Sequence, residues 1–236
     1  MNSILEEDIK NIADSKLVNW EEFNNKSILI TGATGLICSI MIKAFCKKKL
    51  NLKMYLLVRN KENAKQMYGE NENIEYIESS IENFNVEDIK VDYIIHAASP
   101  TKSKFFVEKP VETLNTAVLG TKNILEFAKN IGIKSMVYLS SMEMYGTMND
   151  ENVTEEKLGY INTLNVRSSY SEGKRVCELY CYSYQKEYGV PVKIARIAQT
   201  FGAGISKNEN RVYKIFADAV INKENIVLKS KGTTII

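Results

Sequence analysis

An α/β fold with a parallel sheet and helices on both faces is what three features of this sequence predict. Short apolar runs bounded by turn residues alternate with longer amphipathic stretches along most of the chain. The first such run, Ser27–Ile30, passes through Thr31-Gly32-Ala33-Thr34-Gly35 into a helical pattern at Leu36, Ile37, Ile40, Met41 and Phe45. Later, Tyr170 and Lys174 stand one helical turn apart, downstream of a strand that ends in serines.

Residues 1–25 read as a helical lead-in, with Trp20 and Phe23 available to pack on the domain. The stretch Lys26–Ser39 organises the rest. A glycine turn that opens a helix aims unpaired amides and the positive end of the helix dipole at one spot, which suits a pyrophosphate. Gly32 permits the tight turn and Gly35 a close approach of the backbone. The turn residues Gly32, Thr34, Gly35, Leu36 and Ile37 are therefore the expected holders of a dinucleotide. Cys38 stands where the third glycine of the usual spacing would be, and it is small enough for helix and strand to pack closely.

Met54–Val58 is the second expected strand and ends at Arg59-Asn60, where a dinucleotide fold reads the adenosine ribose. An acidic residue there would bind the 2′-hydroxyl of NAD. Arg59 instead offers a fork for a 2′-phosphate or a flat surface for adenine, so NADP is favoured over NAD with both open. Asn73–Ile77 is a third strand, with Ser80 and Ile81 expected near adenine. Tyr93–His96 is a fourth and runs into Ala97-Ala98-Ser99-Pro100, small residues that leave room for the cofactor. His96, the single histidine, is expected to be a packed core residue.

Thr101–Pro110 reads as a loop, and Pro110 opens a helix through Asn130. Asn115 inside it is expected to bond a kinked backbone, and it is also a cofactor-side candidate. Lys134–Leu139 is a fifth strand, followed by Ser140-Ser141-Met142-Glu143-Met144-Tyr145-Gly146. Residues 150–166 read as an irregular loop on the substrate side. Arg167–Tyr188 is a helix stopped at Gly189-Val190-Pro191. Val192–Ile197 is a sixth strand. A helix from about Asn210 to Asn222 follows, and Ile226–Leu228 begins another strand. The sum is a Rossmann-type doubly wound parallel sheet with ligands at the carboxyl ends of its strands. Residues 26–200 form the expected NAD(P)-binding domain, and 201–236 the start of an incomplete substrate-binding part.

Composition excludes several classes. Lys+Arg 31 against Asp+Glu 29 leaves a net charge of +2, without the basic excess of a nucleic-acid surface. No apolar run approaches the ~20 residues of a membrane span. The acidic, amphipathic start is unlike a signal peptide, so a cytoplasmic location is expected. Cys38, Cys46, Cys177 and Cys181 contain no C-x-x-C pair and have no neighbouring histidine, so packed reduced thiols are expected and no metal.

The chemistry centres on Tyr170 and Lys174. A nearby ammonium lowers a phenol's pKa, and the resulting phenolate can take a hydroxyl proton while a hydride leaves for nicotinamide. Lys174 is also placed to hold the nicotinamide ribose. A second Y-x-x-x-K, Tyr182 to Lys186, reads as chance on an exposed face. Ser141, at the end of the fifth strand, supplies a hydroxyl for the same substrate oxygen. The glycine turn, the strand-end serine and Y-x-x-x-K in this order are far more specific than any part alone.

With these pieces the chain resembles the extended short-chain dehydrogenases/reductases, the NAD(P)-dependent nucleotide-sugar epimerase/dehydratase group, from about Lys26 to Thr234. The matching segments are TGATGLIC, HAASP, the N-x-x-x-x-G-T-x-N-x-L run from Asn115 to Leu125, SSMEMYG, YSEGKRVCE and ARIAQTFGAG. Within the group it looks most like the UDP-glucuronate decarboxylases. The resemblance implies Tyr170 as catalytic base, Lys174 as its partner and Ser141 as helper. It also puts Glu143 where the group carries a working carboxylate, although a carboxylate there can equally cap the next turn. Ser141, Met142, Glu143, Gln199 and Arg211 are the candidate substrate-binding residues.

The chain departs from the family pattern at several points. Met142 stands where a sugar dehydratase has its acidic proton donor, which disfavours dehydration. Gln199 replaces an Asn, Ala203 a Pro, and Arg59 an acidic NAD selector. The chain also ends short of the part that completes the sugar-nucleotide pocket. The implied activity is transient oxidation of a nucleotide sugar, at carbon 4, leading to epimerisation or decarboxylation, with a homodimer as the expected assembly. An NADPH-dependent ketoreductase and a non-catalytic dinucleotide-binding module are the alternatives.

Overall fold

In the computed structural model, which describes residues 3–86, 88–148, 153–206, 209, 211–226 and 228, the apolar runs form one six-stranded parallel sheet. Its strands are β1 (Lys26–Thr31), β2 (Leu52–Val58), β3 (Ile74–Glu78), β4 (Tyr93–His96), β5 (Ser135–Ser141) and β6 (Val192–Ile197). Their spatial order is β3-β2-β1-β4-β5-β6. The helices are α1 (Ser3–Ala13), α2 (Leu36–Lys48), α3 (Lys61–Tyr68), α4 (Ser103–Glu108), α5 (Pro110–Ile131), α6 (Ser168–Tyr188) and α7 (Val212–Asn222). Strand order reverses between β1 and β4, and that switch point opens a crevice at the carboxyl ends of the strands.

Alternation along the strands explains how both faces are covered. On β1, Ile28 and Ile30 point to a layer containing Cys38, Ile42 and Phe45 of α2 and Ala64 of α3. Leu29 points to the opposite layer, with Ala117, Ile124 and Leu125 of α5 and Cys177 and Cys181 of α6. Side chains such as Leu29, Ile30, Leu56 and Ile124 are 0% exposed, and each stabilises the fold by about 1.5–3 kcal/mol. Leu5, Ile9 and Ala13 recur every fourth residue on α1 and pack against Ala44 and Ile40 of α2. Trp20 donates Nε1–H to the Ser15 carbonyl at 3.0 Å and meets Phe45 edge-on, so the lead-in is docked on the domain as expected.

Three expectations are corrected. The segment Thr101–Pro110 is not all loop, since α4 lies within it and buries Phe106 to 1% exposure. Its consecutive apolar residues Phe105, Phe106 and Val107 have no helical period to betray it. Strand β5 runs on through Ser140 and Ser141, because β6 pairs with it as far as Ser141 opposite Ile197. The strand expected from Ile226 is not formed at Ile226 or Leu228, and Val227 lies outside the described residues. Of the expected irregular loop, residues 153–166 consist of turns and one bridge, Thr147 to Tyr160, and 149–152 lie outside the described residues.

Candidate active site

The glycine turn sits at the carboxyl end of β1, beside the end of β4. Gly32 has φ +68°, and a Cβ there would lie 2.8 Å from the Ala97 carbonyl carbon and 2.9 Å from the Ala98 nitrogen. No other residue fits, on grounds of both conformation and space. Gly35 is the N-cap of α2, and no side chain caps that helix start. Thr34, Gly35 and Ile37 are exposed and Leu36 is half-buried, and within the turn the Gly35 amide donates to the Gly32 carbonyl at 2.9 Å. Cys38 is 1% exposed with Sγ 3.9 Å from the Thr31 carbonyl, so the thiol fits between α2 and β1; burial pushes its pKa up to about 12.

Ala97, Ala98 and Ser99 line the same mouth, half-buried. Among the described residues, Ser99 Oγ is the buried side-chain oxygen or nitrogen without a hydrogen-bond partner. An orphaned hydroxyl, a glycine cradle that a Cβ would fill and an uncapped helix start together fit a dinucleotide held by residues 32–37 and 97–99. At the adenosine end, Arg59 and Asn60 are exposed beyond β2. Asn60 caps α3 by accepting from the Asn63 amide, and Glu78 accepts from the Lys61 amide at 2.9 Å. Ser80 precedes a short 3-10 turn in which Ile81 is buried against Gly120.

The second half of the site lies at the ends of β5 and β6. Tyr170 is stacked on Phe106, with ring centroids 4.3 Å apart and planes 7° from parallel. Arg167 lies over the same Phe106 ring at 4.9 Å and pairs with Glu143 at 2.8 Å. Ser171 Oγ donates to the same carboxylate oxygen, Oε2, at 3.4 Å. Ser141 Oγ accepts from the Glu143 amide and lies close enough to the Tyr170 phenol to favour its ionised form. Lys174 is 3% exposed and donates to the Leu139 carbonyl at 2.8 Å, with its Nζ 4.8 Å above the Tyr138 ring.

Electrostatics overturn one expectation. The Tyr170 phenol is raised above its ordinary pKa, because burial outweighs the hydrogen bond from Ser141 and the positive charges of Arg167 and Arg211. Lys174, turned toward β5, is 5.8 Å from the Tyr170 ring centre and is not what acidifies the phenol. Burial instead draws Lys174 itself down to about 8.

Under this floor, Glu178 accepts from Ser140 and forms a bidentate pair with Arg196. Arg175 donates to the carbonyls of Met144, Tyr145 and Gly159, tying the segment after β5 to α6.

The structure thus brings Ser141, Glu143, Tyr170 and Lys174 together, with Met142 half-buried beside them. It does not gather all the expected residues. Asn115 is exposed on α5 rather than bonded to a kinked backbone, and it is Ala117 that faces α6. Gln199 is exposed beyond β6. Arg211 pairs with Glu209 at 2.6 Å, although its charge reaches Tyr170. His96 is 0% exposed, a packed residue as expected, and burial draws its pKa down to about 3. Tyr182 of the second Y-x-x-x-K is 54% exposed. Sequence reading missed Phe106, which has no motif, and Arg167, whose only signal is its place one turn before Tyr170. Among the described residues no cluster of three or more His, Cys, Asp or Glu could hold a metal, and no helix is long and apolar enough to cross a membrane.

The sequence profile of the NAD dependent epimerase/dehydratase family matches residues 28–235. UDP-glucuronic acid decarboxylase 1 of Xenopus tropicalis is 34% identical over 215 residues, covering 89% of this chain and 50% of that protein. UDP-glucuronic acid decarboxylase 6 of Arabidopsis thaliana is 32% identical over 214 residues, covering 89% of this chain and 61% of that protein. The chain therefore spans only part of the length of these curated relatives. Among solved structures, the UDP-N-acetylglucosamine 4-epimerase of Methanobrevibacter ruminantium M1, in complex with UDP-N-acetylmuramic acid, superposes with TM-score 0.77 at 23% identity, covering 89% of this chain and 67% of that one. The UDP-glucuronic acid 4-epimerase of Bacillus cereus, in complex with NAD, gives 0.70 at 21%, covering 88% and 67%. At these identities the likeness speaks to the shared fold.

Proposed function

Because the chain belongs to the NAD dependent epimerase/dehydratase family, we propose that it modifies a nucleotide sugar by oxidising it transiently at carbon 4, with NAD(P) as cofactor. One observation carries this reading. Tyr170, Ser141 and Lys174 meet at the carboxyl end of β5, the same end of a parallel sheet at which β1 opens the glycine turn.

When bound, the nicotinamide accepts a hydride and returns it. The remaining steps belong to the chain. Tyr170 Oη takes the proton of the sugar hydroxyl while its own phenolic proton passes to the neutral amine of Lys174, and Ser141 Oγ steadies the same oxygen. Lys174, drawn down to about 8, is partly neutral near that pH and receives the phenol's proton, and holds the ribose, once it swings from the Leu139 carbonyl. Glu143, oriented by Arg167 and Ser171, takes hydrogen bonds or a proton from the neighbouring part of the sugar. Met142 has no proton to give, which favours decarboxylation or epimerisation over loss of water. The cofactor contacts assigned to residues 32–37, 59–60, 80–81 and 97–99 belong to this reading.

Arg59, exposed at the end of β2, favours NADP over NAD. Together with Met142 it also supports a second reading, an NADPH-dependent ketoreductase of a sugar nucleotide. A homodimer paired through α5 and α6 is supported by the exposed apolar residues Val111, Leu114 and Leu119 on α5 and Val176, Leu179 and Tyr182 on α6. We assign the protein to the cytoplasm, where its four free cysteines would stay reduced.

The test is incubation with a panel of nucleotide sugars, headed by UDP-glucuronate, with NAD or NADP, and mass and stereochemical analysis of products. Loss of carbon dioxide, or an inverted stereocentre at unchanged mass, is expected. A gain of two hydrogens would favour the ketoreductase. No product from any pairing would sink both enzymatic readings and leave a dinucleotide-binding module.

A further inference from the structure

The glycine turn belongs to the α2 face of the sheet and Tyr170 to the α6 face, and a file of polar side chains joins the two. His96 Nδ1 lies 2.7 Å from Thr31 Oγ1, and Nε2 lies 3.1 Å from Thr121 Oγ1. Thr121 Oγ1 donates to Cys177 Sγ at 3.3 Å, and Cys177 Sγ donates to the Ala117 carbonyl at 3.1 Å. At the other end the amides of Ala97 and Ala98 both donate to Thr31 Oγ1, each at 3.1 Å. His96, Thr31 and Cys177 are 0% exposed and Thr121 is 1% exposed, so bulk water does not reach these groups.

The end groups fix the direction of every proton. Backbone amides only donate, and two of them fill both lone pairs of the Thr31 hydroxyl. The Thr31 proton must then go to Nδ1, which is bare, and the neutral imidazole carries its proton on Nε2. That proton goes to Thr121, the Thr121 proton to Cys177, and the Cys177 proton to a carbonyl, which only accepts. The reversed file would give Thr31 three donors and its own proton no acceptor. An imidazolium would meet the same obstacle.

We propose that His96 is a positioning residue: fixed as the Nε2–H tautomer of a one-way hydrogen-bond file, it holds the glycine turn in place against α6, with Cys177 as the anchor on that helix. The file begins at the residue before Gly32, reaches α6 at Cys177, one turn beyond Lys174, and closes on the Ala117 carbonyl of α5. It therefore joins the two halves of the site. What the file does for cofactor binding rests on the proposed function; its direction and its anchoring do not.

The single histidine makes the test clean, since its ring nitrogens give one pair of NMR resonances. The expected spectrum at neutral pH has the proton on Nε2 alone. Cys177→Ala removes the far anchor, and Cys177→Ser returns a donor and an acceptor. In Cys177→Ala the amides of Ala97 and Ala98, at the opposite end, should exchange about fivefold faster, the equivalent of one net hydrogen bond. The dissociation constant for NAD(P) should rise by a similar factor, and Cys177→Ser should restore both. If Cys177→Ala fails to fold, Thr121→Val cuts the file one link nearer with the same readouts. A proton on Nδ1, or amides that exchange as in the parent once the file is cut, overturns the proposal. Should the parent bind no NAD(P) while tautomer and exchange behave as stated, the proposed function fails and the file stands.

Discussion

Lys174 is 3% exposed and gives a hydrogen bond to the Leu139 carbonyl, and burial lowers its pKa from 10.5 to about 8. The unfolded chain therefore holds that proton more tightly between pH 8 and 10.5. Stability should rise with pH across this window, by about 1.4 kcal/mol per pH unit at most, and Lys174→Met should flatten the rise in denaturant titrations. His96 has the same sign at lower pH. Its folded value of about 3 lies below the ordinary 6.5, so its contribution is complete above 6.5 and is lost as pH falls toward 3. Acid unfolding should steepen over that window and become shallower in His96→Gln. Tyr170→Phe removes the proposed proton acceptor while keeping the stack on Phe106. Turnover should drop at least about a hundredfold with the melting temperature nearly unchanged. The motifs that named Tyr170, Lys174 and Ser141 are local, which is why they were legible. The direction of the phenol's shift was not, because burial by Phe106 and the turn of Lys174 toward β5 come from packing between distant segments.

Elements owe their placement to a few close contacts. A Cβ on Gly120 would lie 2.7 Å from Ile81 Cγ2, so α5 can lie against the turn after β3 only if that position is bare. Gly120→Ala should cost about 1–3 kcal/mol through overpacking, and trimming the neighbour with Ile81→Val should return part of it in a double-mutant cycle. The strand–turn–helix unit at Lys26–Lys48 and the alternation of later strands were readable because apolar period and turn glycines mark them directly. The α4 helix was not, since its six residues carry three successive apolar side chains and no side-chain cap. Yet α4 supplies Phe106, against which both Tyr170 and Arg167 pack. Asn115 shows what a local motif leaves open. It lies within a familiar motif spacing, but helical geometry turns it outward and gives the α6-facing position to Ala117.

At the scale of the molecule, two half-sites share one end of a parallel sheet. The β1–β4 side offers the glycine cradle and the orphaned Ser99 hydroxyl, and the β5–α6 side offers the phenol. The outer faces of α5 and α6 expose Leu114, Leu119, Val176 and Leu179, an apolar surface that solvent alone covers poorly. Light scattering should therefore report a dimer, and Leu179→Lys should shift it to monomer without unfolding it. The most direct test of transient oxidation is a single-turnover experiment. Enzyme loaded with oxidised cofactor is mixed with the nucleotide sugar that the product panel selects, and reduced nicotinamide is followed by fluorescence. Transient oxidation predicts a rise and a decay back to baseline, both absent in Tyr170→Phe. A signal that rises and stays, or a signal unaffected by that substitution, would contradict it.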